Sequence, residues 1–242
     1  MDNDFDIKVI AEKTSILFDK YKVEHLPRDI FTKYIYGNPI PKSLSFDQEE
    51  IQNKLKLIYW AVASAQIELG NMLIAVESYN KFKQSQDKNN AELSYLLFMH
   101  HYFLAIECIY RVWERISRVL NFIHTKKAKR NCYYYKTIAQ LENSKIYPDA
   151  LIVELNSHLV EWEKISKDRN MYSHEYSRLT HGIDYDVRVS KIKNTQGQSF
   201  YQIEETRPIL ESMFNLAKER YDYLKKLDST LINYINHFND AT

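Results

Sequence analysis

From Ile51 onward, apolar residues fall at Ile51, Leu55, Ile58, Val62, Ala65, Leu69, Met72, Val76 and Tyr79, in steps that alternate four and three. Only a helix returns side chains to one face at that rhythm, and a run this long is the narrow seam of a long packed helix. A second series follows the polar break SQDKNN: Leu96, Met99, Phe103, Ile106, Tyr110, Trp113 and Leu120, with Ser117 in one slot. Two long helices joined by a short polar link predict an antiparallel hairpin. The 242 residues include only 4 Gly and 5 Pro, too little turn chemistry for a loop-rich fold. The expected class is all-α, an up-and-down bundle with long antiparallel helices.

The remaining segments are placed around that hairpin. Residues 1–45 read as a short helix near 5–22 and a connector, HLPRDIFTKYIYGNPIPKS, rich in proline and aromatics. Residues 46–242 read as one helical domain, opened at SFDQEE by a capping box of Asp47 and Glu50. After HTKKAKRNCYYYK comes a short helix near 134–142. Pro148 then suits the first turn of another, with Ile152, Leu155, Leu159, Trp162 and Ile165 as its apolar series. Period-two Tyr185, Val187 and Val189, a turn NTQGQ and SFYQIEE predict a small inserted β-hairpin at about 184–204. Thr206 and Pro208 are expected to open a final helix running to about Phe238. Its stripe is Leu210, Met213, Ala217, Leu224, Leu227 and Leu231, interrupted by Arg220.

Charge and cysteine usage bound the setting. With 33 Lys+Arg against 32 Asp+Glu the net charge is +1, so any anion-binding surface must be local. Cys108 and Cys132 cannot make a disulfide framework, and reduced thiols are the simple reading. The start MDNDFD is acidic where a signal peptide would be basic, and no apolar run is expected to reach spanning length. A soluble cytoplasmic protein with no membrane partner is the expectation.

The chemistry concentrates in Lys167–Leu179, KDRNMYSHEYSRL. If the helix from Pro148 continues through it, Leu155, Trp162, Arg169 and Tyr176 lie seven apart on one packing stripe. Asn170 and His174 then share a neighbouring face. Arg169 and His174 sit roughly 140° apart on a regular helix, so one copy aims both at a single phosphate only through a kink. A two-fold interface supplying the motif twice solves the same problem. An imidazole titrating near neutrality can move protons to and from RNA oxygens, and a guanidinium can hold two phosphoryl oxygens at once.

These residues carry a resemblance. RNMYSH resembles the Arg-(four to six residues)-His motif of the HEPN superfamily, and RNMYSHEY is similar to the Arg-x4-His-x-Tyr form of HEPN toxins. The resemblance implies a dimeric helical bundle acting as a metal-independent endoribonuclease without a cofactor. Arg169 and His174 would be catalytic and Asn170 the polar accessory, with RNA as the substrate and a toxin–antitoxin or phage-defence setting. It further implies a nucleotidyltransferase antitoxin that adenylylates Tyr176. Arg118 and His124 satisfy the loose spacing but lack the Asn and the Tyr. The chain is longer than the minimal toxins.

Lys126, Lys127, Lys129 and Arg130, with Tyr133 and Tyr134, are candidate RNA contacts, since basic groups take phosphates and tyrosines stack bases. Lys136 and Tyr135 lie in the same segment. Glu154, His158 and Glu161, with His100 and Glu107, form a candidate metal set, although ordinary exposed surface is the favoured reading. Two other function classes therefore stand beside the ribonuclease. One is a non-catalytic HEPN-type module binding a nucleotide or a protein, the other a helical metal-binding enzyme built on His158 and Glu154.

Overall fold

The structure is a computed structural model that describes residues 7–24, 31, 40, 44, 47–127, 132–174, 185–193 and 199–238. At 7–11, 171–174, 185–193 and 199–208 the description is of the backbone alone. Helices dominate. α1 is Ile7–Lys20, α2 is Gln48–Gln84 and α3 is Lys88–Thr125.

The α2–α3 hairpin is the spine. Ile51, Leu55, Ile58, Val62, Ala65, Leu69, Met72 and Val76 are all buried, so the four-three series of α2 is a core seam. On α3, Met99, Ile106, Tyr110, Trp113, Ser117 and Leu120 are buried as well. Phe103 is part-buried, and Leu96 faces solvent. A straight α-helix drifts about 20° per heptad from a 3.5-residue repeat, which carries the early end of the stripe off the core and lets Phe98 take the inner position. Two contacts fix the antiparallel register: Glu68 meets His101 at 2.7 Å, and Arg115 donates to the Leu57 carbonyl. At the turn, Asp87 caps α3 by accepting from the Asn90 amide at 3.2 Å.

The capping box expected at Asp47 and Glu50 does not form, since Asp47 makes no side-chain bond to the helix start. Its carboxylate pairs instead with Lys126 at 2.9 Å, just past the α3 C-terminus. A full charge there competes better for the carboxylate than a backbone amide does. The expectation that no apolar run reaches spanning length also needs correction. By length and composition α2 is apolar enough to cross a membrane. Twelve of its residues are buried in the bundle, the pattern of a core helix.

The later chain is more broken than periodicity suggests. α4 is Tyr134–Ser144, α5 is Asp149–Ser157 and α6 is Leu159–His174. A turn at His158 interrupts what reads as one helix from Pro148, so Leu155 does not continue one stripe into Trp162 and Arg169. Beyond it, β1 (Tyr185–Lys193) and β2 (Ser199–Pro208) pair antiparallel, Tyr185 opposite Pro208 and Lys193 opposite Ser199. Thr206 and Pro208 therefore belong to a strand and do not start a helix. The final helical segment is two elements, α7 (Leu210–Asp222) and α8 (Leu224–Asn236), separated at Tyr223.

The two breaks meet. His158 is 5% exposed, and its Nδ1 lies 2.8 Å from the Tyr223 hydroxyl while Nε2 lies 2.8 Å from Thr230 Oγ1. Thr230 donates to Glu154 at 2.8 Å, and a carboxylate can only accept. Thr230 Oγ1 must therefore accept from Nε2–H, which leaves Nδ1 to accept from Tyr223. Burial pushes the imidazole below its ordinary pKa, consistent with this neutral tautomer. The connector joins the same side through Phe31, whose amide donates to buried Asp228 of α8 at 2.8 Å.

Candidate functional site

Arg169 lies on α6 where that helix crosses α3. Its Nε donates to Glu107 at 3.2 Å, its Nη1 to the Asn170 side-chain carbonyl at 3.3 Å, and its guanidinium sits 5.2 Å from the Tyr110 ring centroid. The side chain is 36% exposed. Arg169 is thus not inside the bundle, as a continuous packing stripe would require. The inward position belongs to its neighbour Asp168, one residue and about 100° round the helix.

Asp168 ties α6 to α7. Arg220, buried on α7, donates from Nε to Asp168 at 2.9 Å and from Nη1 to Glu161 at 2.7 Å. Burial pushes the Asp168 carboxyl up, and the Arg220 hydrogen bond pulls it back. A guanidinium with two carboxylates satisfies a fork that would be costly to bury alone. The interruption that Arg220 makes in an apolar stripe was the signal in the sequence. Its partners lie 59 and 52 positions away, beyond the reach of local pattern.

Beneath Arg169, Tyr110 is buried, which pushes its phenol up while Arg169 opposes the shift. The ring offers the guanidinium a π-face. Glu107 is shared, accepting from Arg111 at 3.1 Å as well as from Arg169. One carboxylate thus lies between two guanidinium groups. An incoming phosphate would compete with Glu107 for this pair of cations.

His174 is the last residue of α6, and Asn170 and His174 lie one turn apart on one helix face. α6 is continuous from Leu159 to His174, so the azimuthal gap of roughly 140° between Arg169 and His174 persists within one copy. Tyr176 lies outside the described residues.

Among the RNA-contact candidates, Tyr134 is misplaced. It is 1% exposed, stands edge-on to Trp113 and donates to the Leu155 carbonyl at 3.0 Å. Tyr133 faces outward, and Lys127 is exposed. Lys126 is tied to Asp47. Lys129 and Arg130 lie outside the described residues. The metal set also dissolves. His158 has both nitrogens engaged by hydroxyls and Glu161 is held by Arg220, both buried rather than exposed, while Glu107 is part-exposed and held by Arg169 and His100 is exposed as expected. Among the described residues no group of three or more His, Cys, Asp or Glu is arranged to hold a metal ion. His124 of the competing spacing is bonded to the Tyr147 hydroxyl at 3.0 Å within an aromatic cluster.

No family model, no curated protein and no solved structure matches the chain.

Proposed function

We propose that the protein is a metal-independent endoribonuclease of HEPN type, acting as a homodimer in the cytoplasm as a toxin or defence effector. The observation that carries the reading is the setting of Arg169. It is half-exposed, braced by Tyr110 below and Asn170 beside, and borne on the helix that ends in His174. In the proposed reaction the ribose 2′-oxygen bonds to the adjacent phosphorus and the bond to the 5′-oxygen breaks. The 2′-OH proton leaves to a base and the 5′-oxygen receives one, leaving a 2′,3′-cyclic phosphate and a 5′-hydroxyl. His174 moves these protons, Arg169 holds the phosphoryl oxygens as charge develops, and Asn170 keeps the guanidinium aimed.

Assembly follows from the same geometry. Arg169 and His174 diverge round an unbroken α6, which favours two copies contributing to each site. The surface for this is the outer face of the spine, where Leu57, Trp60, Ile67, Leu97 and Leu104 are all exposed. Leu104 is one turn from Glu107, so that face runs up to Arg169. Silencing by a nucleotidyltransferase antitoxin that adds adenylate to Tyr176 belongs to the same reading, because a phosphate group two residues past α6 would compete for Arg169. The test is cleavage of RNA by purified protein in EDTA. It should be lost in His174→Ala and in Arg169→Lys, since a point ammonium cannot replace the planar fork. Uncut RNA with the parental protein leaves a non-catalytic nucleotide- or protein-binding module as the better description.

A further inference from the structure

Tyr134 turns inward at the start of α4 and fixes that end by its bond to Leu155. Its two neighbours are thereby turned outward, Tyr133 at 40% exposure and Tyr135 at 43%. The Tyr133 and Tyr135 rings lie 6.2 Å apart at 31°, and Tyr135 reaches Trp162 of α6 at 5.0 Å and 43°. Lys136 places its ammonium 5.2 Å from the Tyr133 centroid and 5.7 Å from that of Tyr135. Two exposed rings, the part-buried Trp162 behind them and a cation make a ledge across α4 and α6.

The ledge leads to Arg169. Tyr110, the ring under the guanidinium, stands on α3, against which both α4 and α6 pack. Trp162 and Arg169 are also two turns apart on α6, about 10 Å along its axis. Three nearby acids are already engaged, Glu107 by Arg169 and Arg111, Glu163 by Lys167 at 2.8 Å and Glu161 by Arg220, while Glu114 of α3 stays close to the Tyr110 phenol.

We propose that Tyr133, Tyr135 and Trp162 form a stacking platform for unpaired bases, with Lys136 taking phosphate, and that the platform leads a single strand to Arg169. The inference rests on the ribonuclease reading for its substrate and extends it to the form of the RNA. Every base has a π-face, so tilted aromatic rings beside a lysine hold single strands without demanding a sequence. A duplex keeps its bases stacked on one another and cannot use such a ledge. The platform therefore selects single-stranded RNA over a duplex of the same length.

The test uses the full chain carrying His174→Ala, in EDTA, with a fluorescein-labelled oligoadenylate and the same strand annealed to oligouridylate. The single strand should bind more tightly than the duplex by anisotropy. A Tyr133→Ser/Tyr135→Ser variant, altering two exposed side chains, should bind the single strand about 10-fold to 100-fold more weakly. Lys136→Gln should weaken binding and lower its salt dependence. Equal affinity of the double tyrosine variant and its parent overturns the platform, whatever the ribonuclease assay gives. Platform-dependent binding by a protein that never cuts RNA retains the platform and removes the ribonuclease.

Discussion

The Tyr223 hydroxyl donates to Nδ1 of His158 at 2.8 Å, joining the residue that breaks α5 from α6 to the one that breaks α7 from α8. This hydrogen bond ties the two helix breaks together at the start of α6, the helix that carries Arg169.

The burial of His158 makes stability depend on pH. Burial holds the His158 pKa below its ordinary 6.5, so above pH 6.5 both folded and unfolded chains are neutral there and the contribution is complete. As pH falls below 6.5 the unfolded chain takes up the proton first, and stability declines until the folded pKa is reached. His158→Gln, which does not titrate, is expected to flatten the fall in urea midpoint between about pH 6.5 and pH 5. Parallel pH profiles for the two proteins would show that the imidazole does not contribute.

Arg220 is expected to be the costliest charge to remove. Arg220→Met leaves buried Asp168 without its cation and Glu161 with Lys164 alone, a loss of about 3–5 kcal/mol by the behaviour of broken buried pairs. Adding Glu161→Gln and Asp168→Asn to the same chain should restore most of it, because the stranded charges are gone. Chemical denaturation of the three proteins measures both effects, and a single variant within 1 kcal/mol of parental, about the cost of an ordinary substitution, would contradict the network.

Gly70 is set by the approach of α1. A Cβ at this position would lie 2.5 Å from Thr14 Cγ2 and 3.3 Å from its Oγ1. Gly70→Ala is expected to cost about 1–3 kcal/mol through overpacking. Thr14→Ser deletes only the methyl and should rescue most of that loss in the double variant. Additive destabilisation in the double-mutant cycle would mean that α1 does not press on α2 there.

The outer face of the spine is expected to bury itself against a second copy. Trp60, 63% exposed, and Leu104 are the residues to test. Trp60→Glu with Leu104→Glu should convert a dimer to a monomer in sedimentation and reduce cleavage with it, while the helical circular dichroism is retained. A parental protein that sediments as a monomer at micromolar concentration removes the shared site.

The spine was legible because one period ran unbroken through α2 and most of α3, and burial follows it apart from exposed Leu96 and part-buried Tyr79 and Phe103. The breaks at His158 and Tyr223 were not, since each is stabilised by a partner on another helix and neither carries Gly or Pro. Arg169, Asn170 and His174 stood out as residue types on one short helix. The features that brace Arg169 did not, because Tyr110 and Glu107 lie on α3, about 60 positions earlier, as the 62-residue separation of the Glu107 bond shows. Tyr134 misled for a simpler reason. In a run of three tyrosines the spacing does not say which one the helix turns inward, and the core chose the middle one.

The most direct measurement is the chemistry of the new RNA ends. Purified protein is incubated with a single-stranded RNA in EDTA, and the fragments are resolved by mass and by sensitivity to phosphatase. The account predicts 2′,3′-cyclic phosphate and 5′-hydroxyl termini, formed with no divalent metal and absent with His174→Ala. Fragments bearing 5′-phosphates, or cleavage that requires added magnesium, would contradict it.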